Sequence, residues 1–240
     1  MSAAQLYCAL DTVNLLQAQT WARSLAGHVD GVKLGLEFFV ANGPAGVRAI
    51  QAEGLSIFLD LKLHDIPNTV AGGMRAAAAL GVNFVTIHAL GGSAMMQAAK
   101  AAAIEGAGKQ APPRVIGITV MTSLSEEDLS ATGQPGPIGA QAMRLAELAA
   151  LCRLDGVVCS AREAAALRAK LGSSMMLVTP GIRPIGGDTQ DQKRVVTPGD
   201  AVRLGADLLV VGRPITESPD PGEAARLIRA EMTSAQGQTR

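Results

Sequence analysis

Four charged side chains in two short segments are the first candidates for chemistry. The stretch Phe58-Leu59-Asp60-Leu61-Lys62-Leu63-His64-Asp65 alternates apolar and polar residues with a period of two. In a β-strand that period puts Asp60 and Lys62 on one face and Leu59, Leu61 and Leu63 on the other. An ammonium held beside a carboxylate and shielded from water can stabilise negative charge developing on a substrate, and it can deliver a proton. Burying either ion alone costs several kcal/mol, so the pair must compensate itself, with Lys33 from Val32-Lys33-Leu34-Gly35 as a second cation able to join. Read blandly, the pattern is a structural ion pair at a sheet end, or an edge strand with one wet face. Charges pointing inward at a ligand mouth favour the functional reading.

Such charges need a scaffold that gathers strand ends. Eight apolar runs recur along the chain: Gln5–Leu10, Gly31–Gly35, Leu55–Lys62, Val82–His88, Arg114–Val120, Gly156–Ser160, Met175–Thr179 and Asp207–Gly212. Helical patterns lie between them, among them Thr12–Gly27, Asn68–Leu80, Ser93–Ala107, Gly139–Leu151, Ala161–Leu171 and Pro221–Met232. This alternation predicts βα units, and 240 residues suit a single (β/α)8 barrel, a TIM barrel of the α/β class. An open doubly wound sheet also accommodates eight strands, but no Gly-x-Gly-x-x-Gly turn follows the first run. Polar residues instead recur at the C-terminal ends of the runs: Asp11, Lys33, Asp60, Lys62, His88, Thr122, Arg183 and Arg213. In a barrel these ends converge on one mouth. No linker divides the chain, so residues 1–240 are expected to form one domain, frayed from Thr233 to Arg240, without a sequence repeat beyond the architectural one.

The last run leads into Gly212-Arg213-Pro214, which sets a backbone amide, a cation and a helix start together after strand eight. Barrels commonly bind phosphate there. The preceding segment from Pro180 to about Val196 has three glycines and no period, which reads as a lid or binding loop, or more plainly as a surface excursion.

Composition narrows the ligand. With 21 basic against 21 acidic side chains and 2% aromatics, the chain has neither the field nor the stacking platforms for a nucleic-acid polymer, whereas a small anion needs only a few donors. Cys8, Cys152 and Cys159 lack metal-ligand spacing and sit in apolar stretches. No run is long and apolar enough to span a membrane and no secretory leader is evident, so a cytoplasmic protein is expected.

Taken together, Ala9-Leu10-Asp11, Val32–Gly35, the run Asp60–Thr69, Thr179–Pro184, Asp191–Pro198 and Val211–Thr216 resemble the bacterial orotidine 5′-phosphate decarboxylase family across nearly the whole chain. The resemblance implies decarboxylation of orotidylate to UMP without cofactor or metal, in a homodimer. It implies that Lys33, Asp60, Lys62 and Asp65 form the catalytic charge network, with Lys62 the proton donor and Asp65 and Thr69 reaching the partner's site. Asp60 has two candidate roles, repelling the departing carboxylate or orienting Lys62. By the same carry-over Asp11 binds the ribose, Thr122 or Ser123 lies near the pyrimidine, and Gln192, Arg213 and the Gly212 amide hold the phosphate, with Arg183 lining that end.

His64 and His88 adjoin these motifs and are expected to be structural hydrogen-bonders, and His28 a surface residue. Two rivals remain. Magnesium-dependent sugar-phosphate barrels resemble this family in their Asp-x-Lys-x-x-Asp strand but place an acidic ligand where Lys33 stands, and a cation there opposes Mg²⁺. A non-catalytic nucleotide-binding protein would have no need of the intact Lys33, Asp60, Lys62 and Asp65 set.

Overall fold

The computed structural model describes residues 3–134, 136–184 and 196–237. Eight parallel strands form a closed barrel in sequential order, each hydrogen-bonded to the next and β8 to β1. The strands are β1 (Gln5–Ala9), β2 (Gly31–Gly35), β3 (Ser56–Leu63), β4 (Phe84–His88), β5 (Arg114–Ile118), β6 (Gly156–Val158), β7 (Met176–Thr179) and β8 (Leu208–Val211). Each lies within an apolar run of the sequence, except that β3 continues one residue further, to Leu63.

The helices between them are α1 (Leu15–Leu25), α2 (Leu36–Gln51), α3 (Pro67–Ala78), α4 (Gly92–Ala107), α5 (Glu126–Ala131), α6 (Ile138–Leu151), α7 (Ala161–Leu171), α8 (Pro198–Arg203), α9 (Arg213–Thr216) and α10 (Pro221–Gly237). Local chemistry sets several starts: Asn14 accepts from the Gln17 N–H ahead of α1, Thr197 from the Asp200 N–H ahead of α8, and proline opens α3 and α8. Helix α2 had no counterpart among the expected helices. Asn42-Gly43-Pro44 reads as a breaker, and the helix does kink there, at Gly43 with φ 56°, before resuming. At the other end α10 runs on to Gly237 and buries Ala235, where fraying was expected from Thr233.

Alternation along each strand sends side chains to two cores. One lies between sheet and helices and includes Leu6, Cys8, Leu59 and Val211. The other fills the barrel: Tyr7, Ala9, Phe58, Phe84, Ile116, Val178, Leu208 and Val210. Tyr7 packs edge-on against Phe58 and Phe84, at centroid distances of 6.2 and 5.6 Å. This plug separates the mouth from the barrel's other end, where a second cavity is lined by Gln5, Tyr7, Ser56, Phe84 and Arg114.

At that end, opposite the mouth, a motif recurs four times that was not apparent as a repeat in the sequence. The residue just before each even-numbered strand closes a two-bond ring with the second residue of the preceding strand. Asp30 donates its N–H to the Leu6 carbonyl and accepts the Leu6 N–H on its carboxylate, at 2.9 and 2.7 Å. Asn83 does the same with Ile57, Asp155 with Val115 and Asp207 with Leu177. Three of these side chains also pair with cations, Asp30 with Arg229, Asp155 with Lys100 and Asp207 with Arg168. Arg229, from α10, further donates to the His28 carbonyl at 2.9 Å.

These clasps fix register, and losing one leaves a strand N–H without its acceptor. Asp155→Ala is therefore expected to lower stability by about 2 kcal/mol, combining a lost charge-assisted hydrogen bond with an unpaired ammonium. Urea unfolding should show a lower midpoint at an unchanged slope. An unmoved midpoint would mean that the clasp contributes nothing.

Candidate active site

At the mouth, Asp11 just past β1, Lys33 on β2, and Asp60 and Lys62 on β3 stand in order around the ring. Lys33 Nζ lies 3.0 Å from Asp11 Oδ1 and 3.7 Å from Asp60 Oδ2, and Lys62 Nζ lies 2.7 Å from the same Asp60 oxygen. The result is an alternating series, Asp11–Lys33–Asp60–Lys62. Asp60 is buried, while the Lys62 side chain keeps 32% of its surface exposed and so remains reachable by a ligand.

Burial alone would push the Asp60 carboxyl upward, but Lys33 and then Lys62 more than reverse this, and Asp60 is held below the ordinary carboxylate range. It is an anion at neutral pH, fixed between two cations. Space for the series comes from Gly35, where a Cβ would stand 3.1 Å from Lys33 Nζ and 3.3 Å from Asp11 Oδ1.

The strict alternation expected for β3 does not hold at Lys62. Pairing with β4 shifts register between Leu59 and Leu63, and Lys62 takes a left-handed φ of 51°. A side-chain-bearing residue adopts that conformation at a cost and only where its surroundings enforce it. Here Thr86, fully buried on β4, accepts the Lys62 backbone N–H at 2.8 Å and donates its own proton to Asp60 Oδ1 at 2.9 Å. Sequence reasoning missed both Thr86 and Gly35. The available signal for Thr86 was a lone hydroxyl at an inward position of Phe84-Val85-Thr86-Ile87-His88.

The charges border a cavity of about 270 Å³ whose wall includes Lys33, Asp60, Lys62, Thr122 and Ser123, over an apolar floor of Phe58, Ile118, Val158, Val178 and Val210. Thr122 and Ser123 both line it, so the choice between them stays open. Asp11 joins through its bridge to Lys33.

Other expected site residues lie elsewhere. Asp65 and Thr69 are exposed, and the Asp65 carboxylate accepts from the Ile66 N–H at 2.6 Å rather than facing Lys62. Gly212 and the half-buried Arg213 start α9, and Arg183 is buried with Nη1 donating to the Ile182 carbonyl. None of these three lines the central cavity. Gln192 lies outside the described residues. Ile182 bridges Val196, and the Arg183 N–H donates to the Val196 carbonyl at 3.2 Å.

His88 departs at Nδ1 from the hydrogen-bonding role expected of it. His64 and His88 lie ring against ring, 5.2 Å between centroids, and His88 Nδ1 is buried with no hydrogen-bond partner among the described residues. Burial first, then the neighbouring His64 and Lys62, lower the His88 pKa and keep it neutral. Among the described residues no three His, Cys, Asp or Glu side chains gather as a metal-binding cluster. None of the helices described is long and apolar enough to cross a membrane.

Two ammonium groups and a carboxylate, beside a cavity with an apolar floor, suit a reaction in which negative charge appears on carbon and is then quenched by a proton. Residues 4–228 match the sequence profile described as Orotidine 5'-phosphate decarboxylase / HUMPS family. The orotidine 5'-phosphate decarboxylase of Rhodospirillum rubrum is 52% identical over 235 residues, 97% of this chain and 95% of that protein. That of Thermobifida fusca is 47% identical over 231 residues, 96% of each. Among solved structures, the orotidine 5'-phosphate decarboxylase from Lactobacillus acidophilus superposes with a TM-score of 0.84 at 38% identity, covering 95% of this chain and 99% of that one.

Proposed function

Because the chain belongs to the orotidine 5′-phosphate decarboxylase / HUMPS family, we propose that it is the carboxy-lyase that converts orotidine 5′-phosphate to UMP and CO₂, with Lys62 as proton donor and no metal or cofactor. The observation that carries this reading is the alternating series Asp11–Lys33–Asp60–Lys62 at the rim of the apolar cavity.

In the proposed reaction the bond between C6 and the carboxylate breaks, CO₂ leaves, and the bonding pair stays on C6. That pair lies in the ring plane with no adjacent electron sink, so stabilisation has to come from outside the ring. Lys62 supplies a positive charge fixed beside the carbon, and then the proton that completes UMP. Solvent returns a proton to the amine. Asp60 keeps the ammonium aimed at C6, since its 2.7 Å contact already fixes the position of Nζ. Asp11 binds the ribose hydroxyls, with Thr69 of a second copy, and Thr122 or Ser123 the pyrimidine. Gly212, Arg213, Arg183 and Gln192 hold the phosphate, and binding energy from that remote group assembles the desolvated site.

Sites shared across a homodimer belong to the same proposal. Asp65 and Thr69 are exposed and far from taking part in their own chain's network. Around the same end of neighbouring units, Val13, Leu16, Leu36, Val40 and Ile66 expose large apolar side chains, which a second copy would cover.

The family also includes the HUMPS branch, and a metal-dependent sugar-phosphate reaction is the second reading. Lys33, held at the end of β2 by two carboxylates, opposes a divalent cation there. Purified protein incubated with orotidylate in EDTA should lose the substrate's ultraviolet absorbance at the same rate as without chelator. Turnover that disappears with EDTA and returns with Mg²⁺ would overturn the metal-free reading, and no turnover under any condition would overturn the activity.

A further inference from the structure

We propose that Thr86 is a positioning residue for the Lys62–Asp60 pair, an inference that rests on the decarboxylase reading. Its hydroxyl sits where the β3–β4 ladder is broken. Backbone pairing is lost between Leu59 and Leu63, and the Lys62 N–H is satisfied by the Thr86 side chain instead. That bond supports the left-handed backbone on which the Lys62 side chain is mounted.

A hydroxyl has one proton. Because Thr86 Oγ1 accepts from Lys62, its proton is free to point at Asp60 Oδ1, 2.9 Å away. The other carboxylate oxygen receives Lys62 Nζ at 2.7 Å, with Lys33 Nζ at 3.7 Å. Both oxygens are therefore held, and neither the carboxylate nor the ammonium can rotate without breaking a bond to the other. Thr86 is fully buried, so bulk solvent does not compete for these bonds. One side chain thus fixes Lys62 at its backbone directly and at its tip through Asp60.

The charged and titratable groups that face Asp60 are Lys33 from β2, Lys62 on β3 itself and His88 from β4, with Asp11 acting from β1 through Lys33. The hydrogen bond from Thr86 favours the ionised carboxylate, so removing it raises the Asp60 pKa. Ionised Asp60 is the form that holds Lys62. The acid limb of kcat must then move to higher pH.

The test compares Thr86→Val, Thr86→Ala and Thr86→Ser with wild type, measuring kcat, KM for orotidylate, UMP binding and the pH profile of kcat. Valine and alanine are expected to lower kcat by ~10- to 100-fold, the loss of a hydrogen bond to a charged group, with KM and UMP affinity within about 3-fold. Their acid limb should rise, and serine should recover kcat to within about 3-fold of wild type, because it keeps the hydroxyl. Wild-type kcat and acid limb in either hydroxyl-free variant, or no rescue by serine, would overturn the inference. So would failure of both hydroxyl-free variants to fold and bind UMP, since Thr86 would then serve folding alone. A wild-type protein inactive on orotidylate would instead overturn the decarboxylase reading itself.

Discussion

Lys62→Ala is expected to lower kcat for orotidylate by on the order of 10⁴-fold or more while UMP still binds, because the substitution removes both the charge and the proton at one atom. Lys33 cannot take over. It sits 3.7 Å from the Asp60 oxygen that Lys62 contacts at 2.7 Å, and it is already bridged to Asp11 at 3.0 Å. The ribose and phosphate contacts proposed for this chain do not involve Lys62, so the affinity for product should change by less than about tenfold, the size of one hydrogen bond. Single-turnover measurements with saturating enzyme separate the two effects. Turnover near the wild-type rate would remove Lys62 from the mechanism. Loss of UMP binding together with activity would show that the side chain is needed to build the pocket.

The second large effect is a recovery. If sites are shared as proposed, Asp65→Asn and Lys62→Ala proteins should each be inactive alone, for different reasons: the first would lack the carboxylate donated by the other copy, the second its own ammonium. In a mixed dimer one site combines Lys62 from the first chain with Asp65 from the second and contains neither lesion. Co-refolding the two should restore activity in proportion to the heterodimer formed, to about a quarter of the wild-type sites if equal amounts assemble at random, since about half of the dimers are mixed and each of those has one intact site. The motivating observation is that Asp65 is exposed and turned to the Ile66 N–H, with no contact to Lys62 of its own chain. Heterodimer shown by native mass, without recovered decarboxylation, would sink the shared-site arrangement and place Asp65 within its own chain.

Much of this was legible in the sequence because barrel strands read as apolar runs and their C-terminal ends as polar punctuation. Asp60, Lys62 and Lys33 could be paired in advance, since buried ions must find partners. What remained hidden depended on neighbours distant in sequence. The bulge at Lys62 exists because Thr86, 24 residues on, supplies a hydroxyl in place of a ladder bond, and a period-two pattern contains no trace of it. Gly35 looks like an ordinary strand-end glycine until the Lys33–Asp11 pair is seen to occupy its missing Cβ. Helix α2 was obscured by Gly43-Pro44, where local propensity says break and packing of Phe38, Val47 and Ile50 continues the helix on both sides. Asp65, Thr69 and the residues proposed to hold the phosphate follow no such periodic pattern, and only the family resemblance singles them out.

The four clasps at the end opposite the mouth also bear on how the ring assembles. Each joins an odd strand to the even strand that follows it, across 24, 26, 40 and 30 residues, so each is a nearly local closure with a small entropy loss. The barrel is therefore a ring of four clasped pairs rather than eight equal staves. Joining β8 to β1 brings together residues such as Leu208 and Gln5 from opposite ends of the chain, and no clasp spans that seam. What spans it is Arg229, reaching from α10 back to Asp30 and the His28 carbonyl, a buckle across 199 and 201 residues that ties the last helix to the first clasped pair.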